Sequence, residues 1–184
     1  MKALLLSAIA AVAVSAVPAP AQVLTIGSSN FAHSCYRSAV TRTTTPRAKS
    51  DCDQALSVQA LAAHDRVATH VNRGILWMLS GNHDRADRDF NEALEINPGQ
   101  PEAWLNKAAL ALGSGDSSSA RDYAARAIKL RTINPALAHY IRGVAHEDTG
   151  NLRAAYADLR VAASLAPKWS APTAELARYQ VRRR

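Results

Sequence analysis

The side chains whose types and spacing could do chemistry are few. His139 and His146 stand seven residues apart, and His83, Asp84 and Asp87 crowd into five positions. A spacing of seven puts two imidazoles on one helical face, and one His with two nearby carboxylates could offer three ligands to a divalent metal. Cys35 could act as a nucleophile if a general base stood beside it. None of these starts is completed. The sequence carries no H-E-x-x-H, no Gly-rich phosphate loop and no G-x-S-x-G. No histidine is placed as a base for Cys35. Carboxylates such as Asp84 and Asp87 are favoured in the first turn of a helix without any metal. The reading is no enzyme, no cofactor and no metal.

The elements that must position these residues declare themselves by repetition. Gly74, Ala108 and Gly143 stand 34 and 35 positions apart. Ala86, Ala120 and Ala155 repeat that spacing, as do Ala93, Ala127 and Ala162, and Gly81, Gly115 and Gly150. A period near 34 marks an array of helical hairpins. Small residues are needed where two antiparallel helices cross closely, and Trp77, Phe90, Trp104 and Leu159 fill the adjoining places. The three clear repeats are 67–100, 101–134 and 136–169. In the first, helix A is expected over 67–80 and helix B over 84–96, separated by Gly81-Asn82, with Gly suited to the left-handed residue after a helix. His139 and His146 fall at the core positions held by Trp104 and Ala111 in the preceding repeat, so packing is their better reading.

The flanks set compartment and charge. Residues 1–21 have the layout of a secretory signal peptide: Lys2, then the apolar run Ala3–Val17, then Pro18-Ala19-Pro20-Ala21. The run is short against the roughly 20 residues a membrane span needs, and no later run is long enough. The mature chain is expected in the periplasm, soluble, beginning with an arm over 22–30. The formal net charge is +7, and Arg178, Arg182, Arg183 and Arg184 gather basic charge at the C-terminus. Nucleic acid is a poor match for an exported chain without a basic, aromatic-interleaved stripe; anionic envelope surfaces or acidic partner segments suit it better. An even number of cysteines in an exported chain points to a disulfide.

The repeats resemble the tetratricopeptide repeat (TPR). The first supplies Gly74, Trp77, Ala86, Phe90, Ala93 and Pro98 at the family's spacing. The second supplies Trp104, Ala108, Ala120 and Ala127, and the third Gly143, Ala155, Leu159, Ala162 and Pro167. The departures are His70 and His139 in place of Trp, Arg73 and Lys107 where Leu is usual, Ala124 for Phe, and Thr132 for Pro. The resemblance implies an all-α, right-handed array of antiparallel hairpins, a TPR-like solenoid over 31–184. A degenerate repeat at 31–66 precedes the three clear ones, with about four extra residues at 62–66 leading onward. A cap helix over 170–183 follows them, with Thr173, Leu176, Ala177 and Gln180 facing inward. In this phase Cys35 and Cys52 face one another across the first hairpin, which makes them the expected disulfide.

In the family, helix A lines a concave groove that takes a peptide. The matching positions are Val71, Asn72, Ile75, Met78 and Leu79, then Leu105, Asn106, Ala109 and Leu112, then Tyr140 and Val144. This face is apolar with two aligned asparagines, whose amides both donate and accept. The Lys/Arg/Asn set that clamps a terminal carboxylate is not present, since Val71 and Ile75 occupy two of its places. A hydrophobic or amphipathic segment fits better. The resulting expectation is a protein–protein interaction scaffold or adaptor of the cell envelope with a protein or peptide partner. The alternatives are a homo-oligomeric structural protein with this face as its own interface, or, further off, a small envelope enzyme or anion-binding protein.

Overall fold

A computed structural model describes residues 30–58 and 60–179. The predicted signal peptide, residues 22–29 of the predicted N-terminal arm, Gln180 of the predicted cap helix and the basic residues Arg182–Arg184 lie outside the described residues, while Asn30 belongs to the first helix. Among the described residues the chain is all helical: α1 (Asn30–Val40), α2 (Pro46–Val58), α3 (Ala63–Leu79), α4 (His83–Ile96), α5 (Pro101–Gly113), α6 (Ser117–Lys129), α7 (Pro135–Asp148), α8 (Leu152–Leu165) and α9 (Ser170–Leu176). Consecutive helices pack as pairs, α1 with α2, α3 with α4, α5 with α6 and α7 with α8, and each pair leans on the next. This is a TPR-like helical solenoid.

The turns inside the hairpins follow from two residue choices. Each first helix ends on a left-handed residue: Gly81, Gly115 and Gly150 at φ 75°, 82° and 80°, a conformation glycine adopts without steric cost. The next residue then caps the second helix. Asn82 accepts from the Arg85 amide, Asp116 from the Ser119 amide and Asn151 from the Ala154 amide. In the first hairpin Arg42 takes the left-handed place, at φ 55°.

The small-residue columns are matched to their partners by volume. A methyl built on Gly74 would meet the Phe90 ring at 2.5 Å, and one on Gly143 would meet Leu159 at 3.0 Å. In the middle repeat Ala108 holds the same place, and the partner there is Ala124. Glycine therefore accompanies a large partner, and alanine a small one. Gly74→Ala gains up to about 1 kcal/mol in helix propensity but overpacks a buried ring, at a cost of about 1–3 kcal/mol. The expected outcome is a net loss of stability in urea denaturation, recovered when Phe90→Leu is added. Gly143→Ala, with its longer contacts, loses less.

Two boundaries differ from the sequence reading. Residues 62–66 are not a lead-in: Ala62 caps α3, and Ala63–Arg66 form its first turn, with Asp65 buried. The degenerate repeat therefore ends before α3 begins. The cap helix is also shorter than 170–183, since α9 ends at Leu176. Arg178 and Tyr179 then fold back, the Arg178 guanidinium pairing with Glu147 at 2.9 Å and the Tyr179 hydroxyl donating to the same carboxylate at 2.9 Å. Pro172, not Thr173 or Leu176, is the fully buried residue of α9. Cys35 and Cys52 form a disulfide joining α1 to α2.

Candidate functional site

His70 and His139 belong to a packing device that appears twice. In α3, His70 and Arg73 both reach Asp89 of α4: His70 Nδ1 lies 3.1 Å from Oδ1, Arg73 Nε donates to Oδ2 at 2.9 Å, and Nη2 donates to Oδ1 at 2.6 Å. In α7, His139 and Arg142 reach Asp158 of α8 at 2.8, 2.7 and 2.7 Å. The middle repeat does the job differently. Trp104 packs on Tyr123 with ring centroids 5.5 Å apart, and the Lys107 ammonium sits 5.3 Å from the Tyr123 ring centre. The substitutions that looked like losses of Trp and Leu are thus exchanges of an aromatic contact for a charged cluster.

The same basic column also ties each hairpin to the one before. Arg73 donates to Asp53 on α2 at 2.7 Å, and Lys107 donates to Asp87 on α4. Asp87 is thereby held by Lys107 and by Asn91, so the trio of His83, Asp84 and Asp87 is not poised around a common point. Among the described residues no group of three or more His, Cys, Asp or Glu side chains could hold a metal ion. His146 stands apart from the clusters, and burial pushes its pKa down, with Asp158 partly opposing.

Asp158 carries the clearest electrostatic signature. Burial pushes its carboxyl up, but the hydrogen bonds from His139 and Arg142 outweigh that and hold it at about 2 against an ordinary 3.8. A carboxyl depressed on folding stabilises the protein fully above its ordinary pKa, and that contribution disappears as pH falls through the folded value. The window is therefore pH 4 down to 2, and the contribution is about 2 kcal/mol at about 1.4 kcal/mol per unit. In thermal melts taken across this range, the advantage of the native protein over Asp158→Asn should shrink steadily below pH 4. An advantage unchanged down to pH 2 would show that the cluster does not couple proton binding to folding.

The face formed by the first helices of the hairpins is different in kind. Helices α3, α5 and α7 pack side by side, α3 on α5 and α5 on α7. Of the residues that the family resemblance assigned to the groove, Val71, Asn72, Ile75, Leu105 and Asn106 are buried. Met78, Leu79, Ala109, Leu112, Tyr140 and Val144 are half-buried. Tyr140 stacks against Trp169 at a centroid distance of 4.8 Å, and its hydroxyl pKa is raised, first by burial and then by Glu175 and Glu147. Glu102, at the start of α5, does not face outward. Its Oε1 accepts from the Ile133 amide at 2.9 Å and from the Thr132 hydroxyl at 3.1 Å, which is what Thr132 does in the place of the family's Pro.

The two asparagines are not equivalent. Asn106 donates from Nδ2 to the Glu102 carbonyl one turn back, at 2.8 Å. Asn72 occupies the same place one repeat earlier, is fully buried, and has no partner at either Nδ2 or Oδ1. A buried amide with neither atom satisfied costs about 1–3 kcal/mol. Such groups in native proteins call for an explanation. Sequence reasoning marked the position but not the orphaned amide. It missed Asp53, Asp89 and Asp158 altogether, although His-x-x-Arg followed by Asp sixteen residues after the Arg recurs in the first and third repeats.

Comparison with known proteins agrees with this architecture. Residues 67–100 match the family described as Tetratricopeptide repeat. No curated protein sequence matches the chain. Among solved structures, one of MamA, described as the RS-1 ArsTM double mutant, is similar in fold: the TM-score is 0.65 at 18% identity, covering 79% of this chain and 79% of that one.

Proposed function

We propose that this chain, a TPR-like helical solenoid whose residues 67–100 match the tetratricopeptide repeat, is a non-catalytic adaptor of the bacterial cell envelope, holding a segment of a partner protein against the α3–α5–α7 face. The observation that carries the reading is the orphaned amide of Asn72. Asn72 is 0% exposed, so a peptide reaches it only when the packing of α3 on α5 opens, and its backbone then offers the donor and the acceptor that this amide lacks. Half-buried Met78, Leu79, Ala109, Leu112 and Val144, on the same three helices, supply the apolar contact area. Export is supported by the signal-peptide layout of residues 1–21 and by the Cys35–Cys52 disulfide, a bond that persists in oxidising compartments.

An unsatisfied group kept for binding trades stability for function. Asn72→Leu keeps the branched four-atom side chain and removes both orphaned atoms. The expected result is a higher melting temperature together with weaker capture of the partner by a photo-crosslinker placed at Leu112 or Val144. These two positions serve because Ile75 is fully buried, and a charge or bulky probe there would disturb the fold itself. Crosslinking in the native periplasm identifies the partner by mass spectrometry. If Asn72→Leu captures the same protein as strongly as the native chain, the groove reading fails. If only links between copies appear, this face is an interface of a homo-oligomer.

A further inference from the structure

The charge of the repeat array is lopsided. Residues 30–122 carry ten Lys/Arg and eleven Asp/Glu, whereas 123–179 carry eight and four. No acidic residue occurs between Asp122 and Glu147, nor between Asp158 and Glu175. In an antiparallel hairpin array the turns that lead from one hairpin to the next all lie on one edge. That edge carries Leu130 and Ile133 just after α6 and Leu165 at the end of α8, exposed to 36%, 72% and 50%. Leu130 and Leu165 are at equivalent places in consecutive repeats, and so are Ile133 and Lys168. Lys129, Arg131 and Lys168 stand among them, all exposed. Among the described residues none of these three cationic side chains has a hydrogen-bond or ion-pair partner. Arg131 is moreover held at φ 61°, a conformation most side chains avoid. The corresponding turn of the first clear repeat pairs its exposed Ile96 with Glu95 instead, so the α4–α5 turn does not share the pattern.

We propose that this edge, Leu130, Ile133 and Leu165 with Lys129, Arg131 and Lys168, docks the protein on an anionic lipid bilayer. Aliphatic side chains at turn apices can enter the headgroup region, while long basic side chains beside them reach the lipid phosphates. Cations near an anionic surface add attraction that salt screens. The exposed basic side chains beside the aliphatic ones are complementary to an anionic surface. The edge is separate from the α3–α5–α7 face, and the proposal stands whether or not that face binds a peptide.

The test is co-sedimentation of the mature protein with vesicles of phosphatidylcholine alone and of phosphatidylcholine mixed with phosphatidylglycerol. Binding is expected to the mixed vesicles only, falling as salt rises. Lys129→Ala, Arg131→Ala and Lys168→Ala should each weaken it about fivefold. Ile133→Ser should weaken it at every salt concentration, because its contribution is not electrostatic. All four positions are exposed, and circular dichroism verifies that the variants keep their helicity. The proposal is overturned if the protein ignores both vesicle types, if the three charge variants bind as the native chain does, or if removing Arg182–Arg184 alone abolishes binding. Charge-dependent capture of an acidic protein without vesicle binding also overturns it.

Discussion

Asp89→Ala should lower folding stability by about 3–5 kcal/mol, the range expected when one member of a buried ion cluster is removed and the others are left. Asp89 is 3% exposed and accepts from His70 and twice over from Arg73. Its removal strands a half-buried guanidinium whose pKa burial would lower, and which Asp89 and then Asp53 raise. Asp53 cannot stand in for it. That carboxylate is 56% exposed at its side chain, and an exposed pair is worth no more than about 1 kcal/mol. The two contacts of Arg73 should therefore separate cleanly in experiment: Asp53→Ala costs less than about 1 kcal/mol, while Asp89→Ala comes close to unfolding a domain of ordinary stability. The middle repeat fills the same places with Trp104, Lys107 and Tyr123. A buried carboxylate is thus not required there. Replacing His70, Arg73 and Asp89 together by the apolar and aromatic types usual in the family should recover most of what Asp89→Ala loses, since whole buried clusters can be exchanged for packed side chains at little cost. Urea denaturation of the three variants measures all of this. A loss below 1 kcal/mol for Asp89→Ala would mean that the cluster is far better solvated than its burial indicates.

The repeat architecture was legible because it rests on one-residue events. Gly81, Gly115 and Gly150 mark left-handed helix ends, Asn82, Asp116 and Asn151 follow as caps, and the small columns recur at a fixed period. What escaped depended on pairs. Gly74 against Phe90, Ala108 against Ala124 and Gly143 against Leu159 form one volume rule that becomes visible only when two columns are read together. The same holds for His70 and Arg73 with Asp89: each residue alone looked like a departure from the family, and the compensating carboxylate lies on the other helix of the hairpin. The end of α9 was hidden because Arg178 and Tyr179 leave the helix to reach Glu147 on α7, a tertiary pull that periodicity does not register. The positions of the candidate binding face were legible from the resemblance. That Asn72 is buried without a partner is a property of its surroundings and had no sequence signal.

Reduction of the Cys35–Cys52 bond should destabilise the protein by about 3 kcal/mol, the chain-entropy value for a short loop; here the cysteines are 17 residues apart. The loss should fall unevenly along the chain. α1 has 11 residues, shorter than the roughly 12–15 that an isolated helix needs for marginal stability in water. Among the described residues no hairpin precedes it, and its contacts go to α2 and α3. In a hairpin array each unit is held by its neighbours alone, so an end unit with one neighbour frays first. Both sulfurs are fully buried in the core that includes Val71 and Ile75, so the bond also holds the first hairpin against the start of the proposed binding face. Under a reductant, hydrogen exchange over 30–58 should accelerate well before that over 101–165, and the melting transition should lose its single-step form. Uniform acceleration along the chain would instead mean that the array unfolds as one unit and that the disulfide supports every repeat equally. The uneven outcome carries a functional consequence. A chain that failed to oxidise would keep α5–α8 folded while losing the support of α3, and the binding proposed for the α3–α5–α7 face would then depend on the redox state of the compartment.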